Sequence, residues 1–510
     1  MDLKHLDKKR VLIVGLGESG LAMVRFCVRA GAQVTVCDTR DTPTLLTPLK
    51  EKFPQVQFVG GALQTQLLDG VDLLGWSPGL APTAVNVADF VSAASARGLR
   101  LDGELEFFSQ ALDQLGEQYG YKPGVAAITG TNGKTTTTLL TAHLCKTAGK
   151  RVVAAGNVSP AALDALCEAL DTNDLPEIWV LELSSFQLET STQFRSTTAV
   201  ILNVSQDHLD WHADMAAYTA AKKKIFNNTL LAIENRGDSL TQLPKVPLLS
   251  KPLTAKQISA QEPQQPRISF GLDEPTSLGC FGIQQLNGLP WLVEAVTAED
   301  EPLTKRKSAA IAPVRLNRIM PADSLPIRGK HNQANMLAAF ALCKGLGLPL
   351  GRLLHGVRTY AGEPHRCERI MILNDVEWFD DSKGTNVGAT VAALSGLGKP
   401  AVLIAGGDGK GQDFAPLKTP VKDNARAVVL IGRDAGLIEN VLLETNIPMY
   451  HAADMHEAVT IAQRVAQAND AVLLSPACAS FDMYKNYVHR AEAFVDAVKS
   501  LQEKAKVAVC

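Results

Sequence analysis

A chain of 510 residues exceeds what one hydrophobic core serves, so two to four domains are expected. Its apolar content of 46% and charged content of 20% are those of an ordinary globular protein, and a net charge of −3 gives neither a basic field for nucleic acid nor a polybasic anchor for a membrane. No uninterrupted apolar run approaches the roughly 20 residues that insert across a bilayer, Met1 to Arg10 is too charged for a signal peptide, and nine scattered cysteines without a C-x-x-C pair suit reduced thiols in a cytoplasm.

Short β-branched runs alternate with helix-like segments almost throughout, the pattern of doubly wound α/β domains. Three blocks are expected, over residues 1–103, 104–362 and 363–510. In the first, strands are predicted at Val11–Val14, Val34–Val36 and Val71–Leu74, fading near Leu101–Gly103. Gly15-Leu-Gly17-Glu-Ser-Gly20 follows the first strand, and Asp38 ends the next, 18 positions past Gly20. This is the dinucleotide pattern: glycines for close backbone approach, a helix N-terminus for pyrophosphate, an acid for ribose hydroxyls. It specifies a nucleotide diphosphate and not a nicotinamide, since a UDP-sugar presents the same pyrophosphate to the same dipole; a ligand-free tight turn is the bland alternative. Ser77-Pro78-Gly79 leaves the third predicted strand at the same sheet edge.

The second block has strands predicted at Val125–Ile128, Val152–Ala154, Ile178–Leu181, Val200–Leu202 and Leu230–Ile233. Gly130-Thr131-Asn132-Gly133-Lys134-Thr135-Thr136 sits between the first of these and a helix-like segment, Thr135 to Cys145. Strand, glycine turn and helix start aim several backbone N–H groups at one spot. Lys134 adds a mobile cation and a threonine hydroxyl can reach magnesium, so a nucleoside triphosphate is the natural guest. The spacing departs from G-x-x-x-x-G-K-[ST], which needs glycine where Ile128 stands, and a plain helix-capping turn is the alternative. Glu182 ends a neighbouring strand, where magnesium is usually held. Asn203-Val-Ser-Gln-Asp207-His208-Leu-Asp210 follows another strand and brings a second polar cluster to that edge. Lys222 is expected on a helix from Ala216 to Phe226, where Lys222-Lys-Lys224 reads most simply as a solvated face. Gln257–Pro266 is polar and proline-bearing, Ile268 to Val296 is hairpin-like, and Glu299–Lys307 reads as a solvated loop; together they suggest a small antiparallel addition without chemistry of its own. Asn332 and Asn335 share a face at a helix start; they could cap it or reach an adenine edge, and sequence alone favours capping.

The third block has strands predicted at Val376–Phe379, Val402–Ala405, Val428–Ile431 and Val472–Leu474. Pro364-His365-Arg366 opens it. Asp380-Asp381-Ser-Lys383-Gly-Thr385-Asn386, Gly406-Gly-Asp-Gly-Lys410 and Ser475-Pro-Ala-Cys-Ala-Ser480-Phe481-Asp482 each follow a strand. Three polar turns at one sheet edge, with Arg366, make a cationic pocket suited to a dicarboxylate or to phosphates.

These residues resemble the Mur ligases of bacterial cell-wall synthesis. Gly130–Thr136, Asp207-His208, His331-Asn332 with Asn335, and His365-Arg366 match motifs shared across that family. Leu181–Gln187, Asp381–Asn386, Gly406–Lys410 and Ser475–Phe481 are similar to its D-glutamate-adding branch. The resemblance covers essentially the whole chain except Gln257–Lys307. It implies an α/β fold of three doubly wound domains: a Rossmann-like N-terminal domain, a central P-loop ATPase-like domain with a parallel sheet and a small antiparallel addition, and a Rossmann-like C-terminal domain. It implies ATP-dependent addition of D-glutamate to UDP-N-acetylmuramoyl-L-alanine, in the cytoplasm, by a monomer. Glu18, Ser19, Asp38, Thr39, Arg40, Ser77, Pro78, Gly79 and Asn157 would meet the UDP-sugar. Gly130 to Thr136 would hold the phosphates, with Asn332, Asn335, Arg366 and Asp381 around the nucleotide. Thr135 and Glu182 would bind one Mg²⁺, and His208 with a CO₂-derived carbamate on Lys222 a second. Arg366, Lys383, Thr385, Lys410, Ser480, Phe481 and Tyr487 would receive D-glutamate. Tyr487 stands where phenylalanine is expected, and Ala491 where glycine is common.

Three rival readings have distinct marks. A nicotinamide oxidoreductase explains Gly15–Gly20 but leaves Gly130–Thr136 without use. A nucleotide-gated binding module has no use for the lysine-bearing turns of the third block. A sister ligase adding another amino acid would differ in those turns.

Overall fold

The computed structural model describes residues 3–209, 211–244, 265–298 and 314–507. Asp210, residues 257–264 and the charged run Glu299–Lys307 therefore lie outside the described residues.

The first sheet contains β1 (Arg10–Val14), β2 (Gln33–Asp38), β3 (Gln57–Gly60), β4 (Leu73–Trp76) and β5 (Leu101–Asp102). All pairs are parallel, in the order β3-β2-β1-β4-β5. Strand order reverses beside β1, so a crevice opens between the turns leaving β1 and β4, the position at which such sheets bind ligands. Ser77–Gly79 follows the fourth strand rather than the third; β3 escapes prediction because Gln57-Phe-Val-Gly60 is a short, half-exposed edge strand without an apolar run.

The central sheet contains β6 (Gly124–Thr129), β7 (Val152–Gly156), β8 (Ile178–Glu182), β9 (Ser196–Ile201), β10 (Thr229–Asn235), β11 (Arg267–Phe270), β12 (Phe281–Leu286), β13 (Leu289–Thr297) and β14 (Val314–Pro321), in the order β14-β13-β12-β11-β10-β9-β6-β8-β7. Alternate residues of β6 serve opposite faces: Ala127 packs with Trp179 and Leu181 on one side, Ala126 and Ile128 with Val180 and Val200 on the other. The first of these cores is continuous with that of the first sheet, because the helix Glu104–Tyr119 buries Leu105, Phe107, Phe108 and Ala111 between them. The antiparallel addition is real but starts later than the hairpin-like texture suggested. β11 extends the parallel sheet from β10, and only β12, β13 and β14 pair antiparallel. The β12–β13 turn is Asn287-Gly288, both at positive φ, the two-residue connection whose twist matches a hairpin.

The third sheet contains β15 (Glu368–Leu373), β16 (Val376–Asp380), β17 (Ala401–Gly406), β18 (Ala425–Ile431), β19 (Met449–His451) and β20 (Ala471–Leu474), in the order β15-β16-β20-β17-β18-β19. The three polar turns of the sequence thus leave the adjacent strands β16, β20 and β17. The unpredicted strands β15 and β19 are again the edges. Among the described residues no helix is long and apolar enough to cross a membrane.

Candidate active site

At the β1 edge, Gly17 caps the helix Glu18–Arg29. Asp38 is buried, and both its oxygens are committed: Oδ2 accepts from Leu16 N at 2.7 Å, and the Arg40 side chain and N–H bond to the carboxylate at 2.7–2.9 Å. Burial works to raise this carboxyl, yet those bonds outweigh it and hold it below the usual range. Asp38 therefore fixes Arg40 and the glycine turn, and a ribose-gripping acid of the nicotinamide type is not what this position offers. Ser77 lies against Gly15, where a Cβ would come within 2.7 Å of the serine Cβ. Glu18 and Gly79 are exposed, Ser19, Thr39 and Pro78 half-buried around the same crevice.

The loop after β6 is held from both neighbours. Asn203, just past β9, accepts from Asn132 N at 2.8 Å and donates to Asn132 O at 3.0 Å. Thr131 Oγ1 donates to Ser205 O and contacts the Tyr218 hydroxyl. Gly133 caps the helix Lys134–Thr147 at φ 82°, a conformation L side chains avoid, and a Cβ there would strike Asn335 Oδ1 at 2.6 Å. Lys134 folds back onto its own loop, donating to Gly130 O at 2.9 Å and Thr131 O at 2.8 Å. Burial lowers its pKa, Glu182 and Asp207 work to raise it, and Arg366 and Lys383 lower it further.

Glu182, at the end of β8, is buried. Its Oε1 accepts from Asn157 Nδ2 at 2.7 Å, while Oε2 has no hydrogen-bond partner among the described residues. A buried carboxylate oxygen left unpaired in a cleft that Thr135 and the phosphate loop also line offers hard oxygen donors, so these residues fit a magnesium ion. Lys222 lies on the helix Met215–Lys223 and is 1% exposed, which overturns the solvated-face reading. Its Nζ donates to Gly130 O at 2.9 Å and sits 4.5 Å from the Tyr218 ring centroid. Burial, reinforced by Lys134, pushes this amine well below the ordinary lysine range.

One cleft of about 640 Å³ collects Thr131 to Thr135, Asn157, Glu182, Asp207, His208, Arg366, Lys383, Thr385, Lys410 and Tyr487. Lys134, Arg366, Lys383 and Lys410 outweigh its acids Glu182 and Asp207, so the cleft favours polyanions. An adjoining pocket of about 380 Å³ is lined by Gly133, Thr136, Asn332, Asn335 and Asp381. The two asparagines do not cap their helix; Gly329 holds the cap position, Asn332 Nδ2 donates to Arg328 O and Asn335 Nδ2 to Asn332 Oδ1. Burial pushes the Asp381 carboxyl up to about 7, against the pull of Ser475 Oγ and Arg366. Lys383 Nζ donates to the Tyr487 hydroxyl at 2.9 Å, so the tyrosine that replaces an expected phenylalanine gains a partner. Ser480 is buried outside the cleft lining, and Phe481 is exposed beside Lys410. The residues of the β1 edge stand apart from both pockets.

Two side chains tie the third domain onto the loop. Arg366 Nη2 donates to Thr135 Oγ1 at 2.7 Å, and Asn386 Nδ2 donates to Asn132 Oδ1 at 3.0 Å while its Oδ1 caps the helix Val387–Gly396. The sequence assigned no individual role to Asn386 or Asn203, although each stands in a polar turn just past a strand at the ligand edge. The helix Val387–Gly396 also approaches at its far end, where a Cβ on Gly396 would lie 3.1 Å from Gly329 Cα, and one on Gly329 (φ 98°) 2.7 Å from His331 Cε1.

Three family profiles match this chain: Mur ligase MurD-like, N-terminal domain over residues 9–99, Mur ligase middle domain over 128–264, and Mur ligase, glutamate ligase domain over 365–478. The UDP-N-acetylmuramoylalanine–D-glutamate ligase of Burkholderia mallei is 52% identical, covering 97% of this chain and 98% of that protein. The same enzyme of Paraburkholderia xenovorans is 52% identical, covering 97% of each. Among solved structures, MurF from Acinetobacter baumannii has a TM-score of 0.54 at 16% identity, covering 97% of this chain and 92% of that one. MurF from Thermotoga maritima, in complex with ADP, has a TM-score of 0.54 at 14% identity, covering 98% and 97%. Those two likenesses speak for the three-domain fold. The identity across nearly the full length, with a phosphate loop and cationic turns facing one cleft, places the chain in the Mur ligase family.

Proposed function

We infer that the chain joins D-glutamate to the alanine carboxylate of UDP-N-acetylmuramoyl-L-alanine at the expense of ATP, as a cytoplasmic monomer supplying peptidoglycan precursor. The observation that carries this reading is the cleft itself, where a phosphate loop, an unpaired buried carboxylate oxygen and the lysine-bearing turns open on one space. The crevice at β1, with Glu18, Ser19, Asp38 to Arg40 and Ser77 to Gly79, takes the UDP end, and Asn157 reaches the sugar–alanine end. Asn332, Asn335 and Asp381 surround the nucleotide base. Lys383, Thr385, Lys410, Ser480, Phe481, Tyr487 and Arg366 receive the amino acid.

A carboxylate is a poor electrophile, so the γ-phosphoryl group moves onto it first, giving an acyl phosphate and ADP. Lys134 swings from its loop carbonyls to the phosphoryl oxygens and offsets the charge spread over them. Thr135 and Glu182 would hold one magnesium ion, and His208 with carbamylated Lys222 a second; bound there, the ions would neutralise phosphate charge. The D-glutamate amine then attacks, a tetrahedral intermediate forms and phosphate leaves. Asp207 and His208 are the titratable groups of the cleft that are candidates for taking the amine proton. Asn386 keeps the third domain down on the loop, which excludes water from the acyl phosphate.

Phosphate release assayed with the UDP-sugar–alanine and a panel of D- and L-amino acids tests the reading. D-Glutamate alone is expected to support full turnover; full ATP turnover without the sugar substrate, or preference for another amino acid, contradicts it. Asn386→Asp keeps the helix cap but sets an acceptor and a negative charge against Asn132 Oδ1. Its melting temperature should stay near that of the wild type while the KM for ATP rises about tenfold. Unchanged ATP kinetics would deny the contact any part in nucleotide binding.

A further inference from the structure

Arg490, near the start of the helix Tyr487–Val507, is among the largest fully buried side chains of the protein at 1% exposure. A buried guanidinium ordinarily sits against a carboxylate. Here its bonds go to neutral oxygens: Nε to Ser382 Oγ at 3.1 Å, Nη2 to Ser382 O at 2.9 Å and Nη1 to Cys478 O at 3.1 Å. The acids nearest in charge are engaged elsewhere, Asp380 with His365 and Ser382 N, Asp482 with Arg433 N. Among the described residues no carboxylate forms an ion pair with Arg490. Burial drags this guanidinium down to about 10.

The partners matter more than the burial. Ser382 is the residue before Lys383 in the turn leaving β16. Cys478 lies two residues before Ser480 in the turn leaving β20. Ser382 Oγ in turn donates to Tyr487 O at 2.8 Å, on the first residue of the helix that carries Arg490. One fork thus splices three separate chain segments: those of Lys383 and Tyr487, which line the cleft, and that of Ser480, which is buried outside its lining. A flat guanidinium with its donors in a fixed fork can hold two backbone carbonyls and a hydroxyl at set angles; an ammonium cannot.

We propose that Arg490 is a positioning residue of the amino-acid site: it fixes the spacing between the Lys383 and Ser480 turns and adds an uncompensated buried charge that a dicarboxylate guest neutralises. This rests on the functional reading above. The charge lies behind the turns and touches no reacting atom, so its loss weakens amino-acid binding rather than phosphoryl transfer.

The test uses the full chain as wild type, Arg490→Lys and Ser382→Ala, with initial rates measured against each of the three substrates in turn and melting temperatures alongside. Arg490→Lys keeps a cation and loses the fork; it is expected to raise the KM for D-glutamate about tenfold or more, with the KM values for ATP and the UDP-sugar within about twofold of wild type. Ser382→Ala removes one acceptor and should move the same constant in the same direction by less. Losses shared equally among all three substrates, or an unchanged KM for D-glutamate, overturn the proposal. Should Arg490→Lys fail to fold, Ser382→Ala decides: a selective rise for D-glutamate supports the splice, and its absence refutes it. A wild type inert towards D-glutamate sinks the functional reading and this inference with it, whereas an active wild type with an unselective variant sinks only the latter.

Discussion

Lys134→Ala is expected to lower ATP-dependent phosphate release by at least about 10³-fold while leaving the fold and UDP-sugar binding intact. Among the described residues the Lys134 ammonium bonds to two carbonyls of its own loop, Gly130 O and Thr131 O, so the wall of the cleft does not depend on it. What disappears is a mobile cation at the head of the helix Lys134–Thr147, able to follow the phosphoryl group between its two oxygens. The crevice at β1 is lined by other residues, and sugar-nucleotide affinity measured by calorimetry should stay within about twofold. Arginine would not restore the rate, since a wide planar fork cannot take the place of a compact point charge beside Gly130. Retention of a tenth or more of the wild-type turnover would remove Lys134 from the phosphoryl-transfer step.

Lys222→Ala comes next in size, with turnover expected to fall by at least about 10²-fold. The wild type, stripped of CO₂ by degassing, should lose activity and recover it on adding bicarbonate; the variant should ignore bicarbonate. The reason is local. At 1% exposure, with Lys134 as neighbour, the Lys222 amine holds its proton less tightly than an ordinary lysine, and in its neutral form its lone pair would attack CO₂ to give a carbamate and a released proton. Glu182 and Asp207 nearby favour a cation, which is what an anionic carbamate would help them hold. Native mass spectrometry offers an independent reading, since the wild type would carry the added mass of one CO₂ and the variant would not. Undiminished ligation by Lys222→Ala at low bicarbonate would end the idea.

Much of the fold was legible because buried parallel strands announce themselves. Ala126–Ile128, Ile178–Leu181 and Val402–Ala405 are unbroken apolar runs since both faces of their sheets are covered. The strands missed, Gln57–Gly60, Val314–Pro321, Glu368–Leu373 and Met449–His451, are sheet edges, where one side meets water and the residue pattern carries no such run. Arg267–Phe270 looked like hairpin material because a four-residue segment does not reveal whether its partner runs parallel. At the site, glycine-framed turns after strands were visible, since backbone approach to a ligand constrains residue type. Lys222 was not visible as a buried amine, because burial depends on Tyr218 and the loop carbonyls that the fold brings over it. Arg490 was invisible for the same reason: its partners, Ser382 and Cys478, lie far away along the chain and meet it only once β16 and β20 are neighbours.

The helix Val387–Gly396 meets the central domain through a glycine at each end, Gly388 beside the Asn132 and Ser205 side chains and Gly396 against the Gly329 backbone. Its seat therefore works as a gauge block. At the far end the gap is fixed by van der Waals radii, backbone against backbone at Gly396 and Gly329, whereas the near end rests on the Asn132 and Ser205 side chains. A methyl group at position 396 would come within 3.1 Å of the Gly329 Cα and push backbone off backbone, while one at position 388 would meet side-chain ends that can yield.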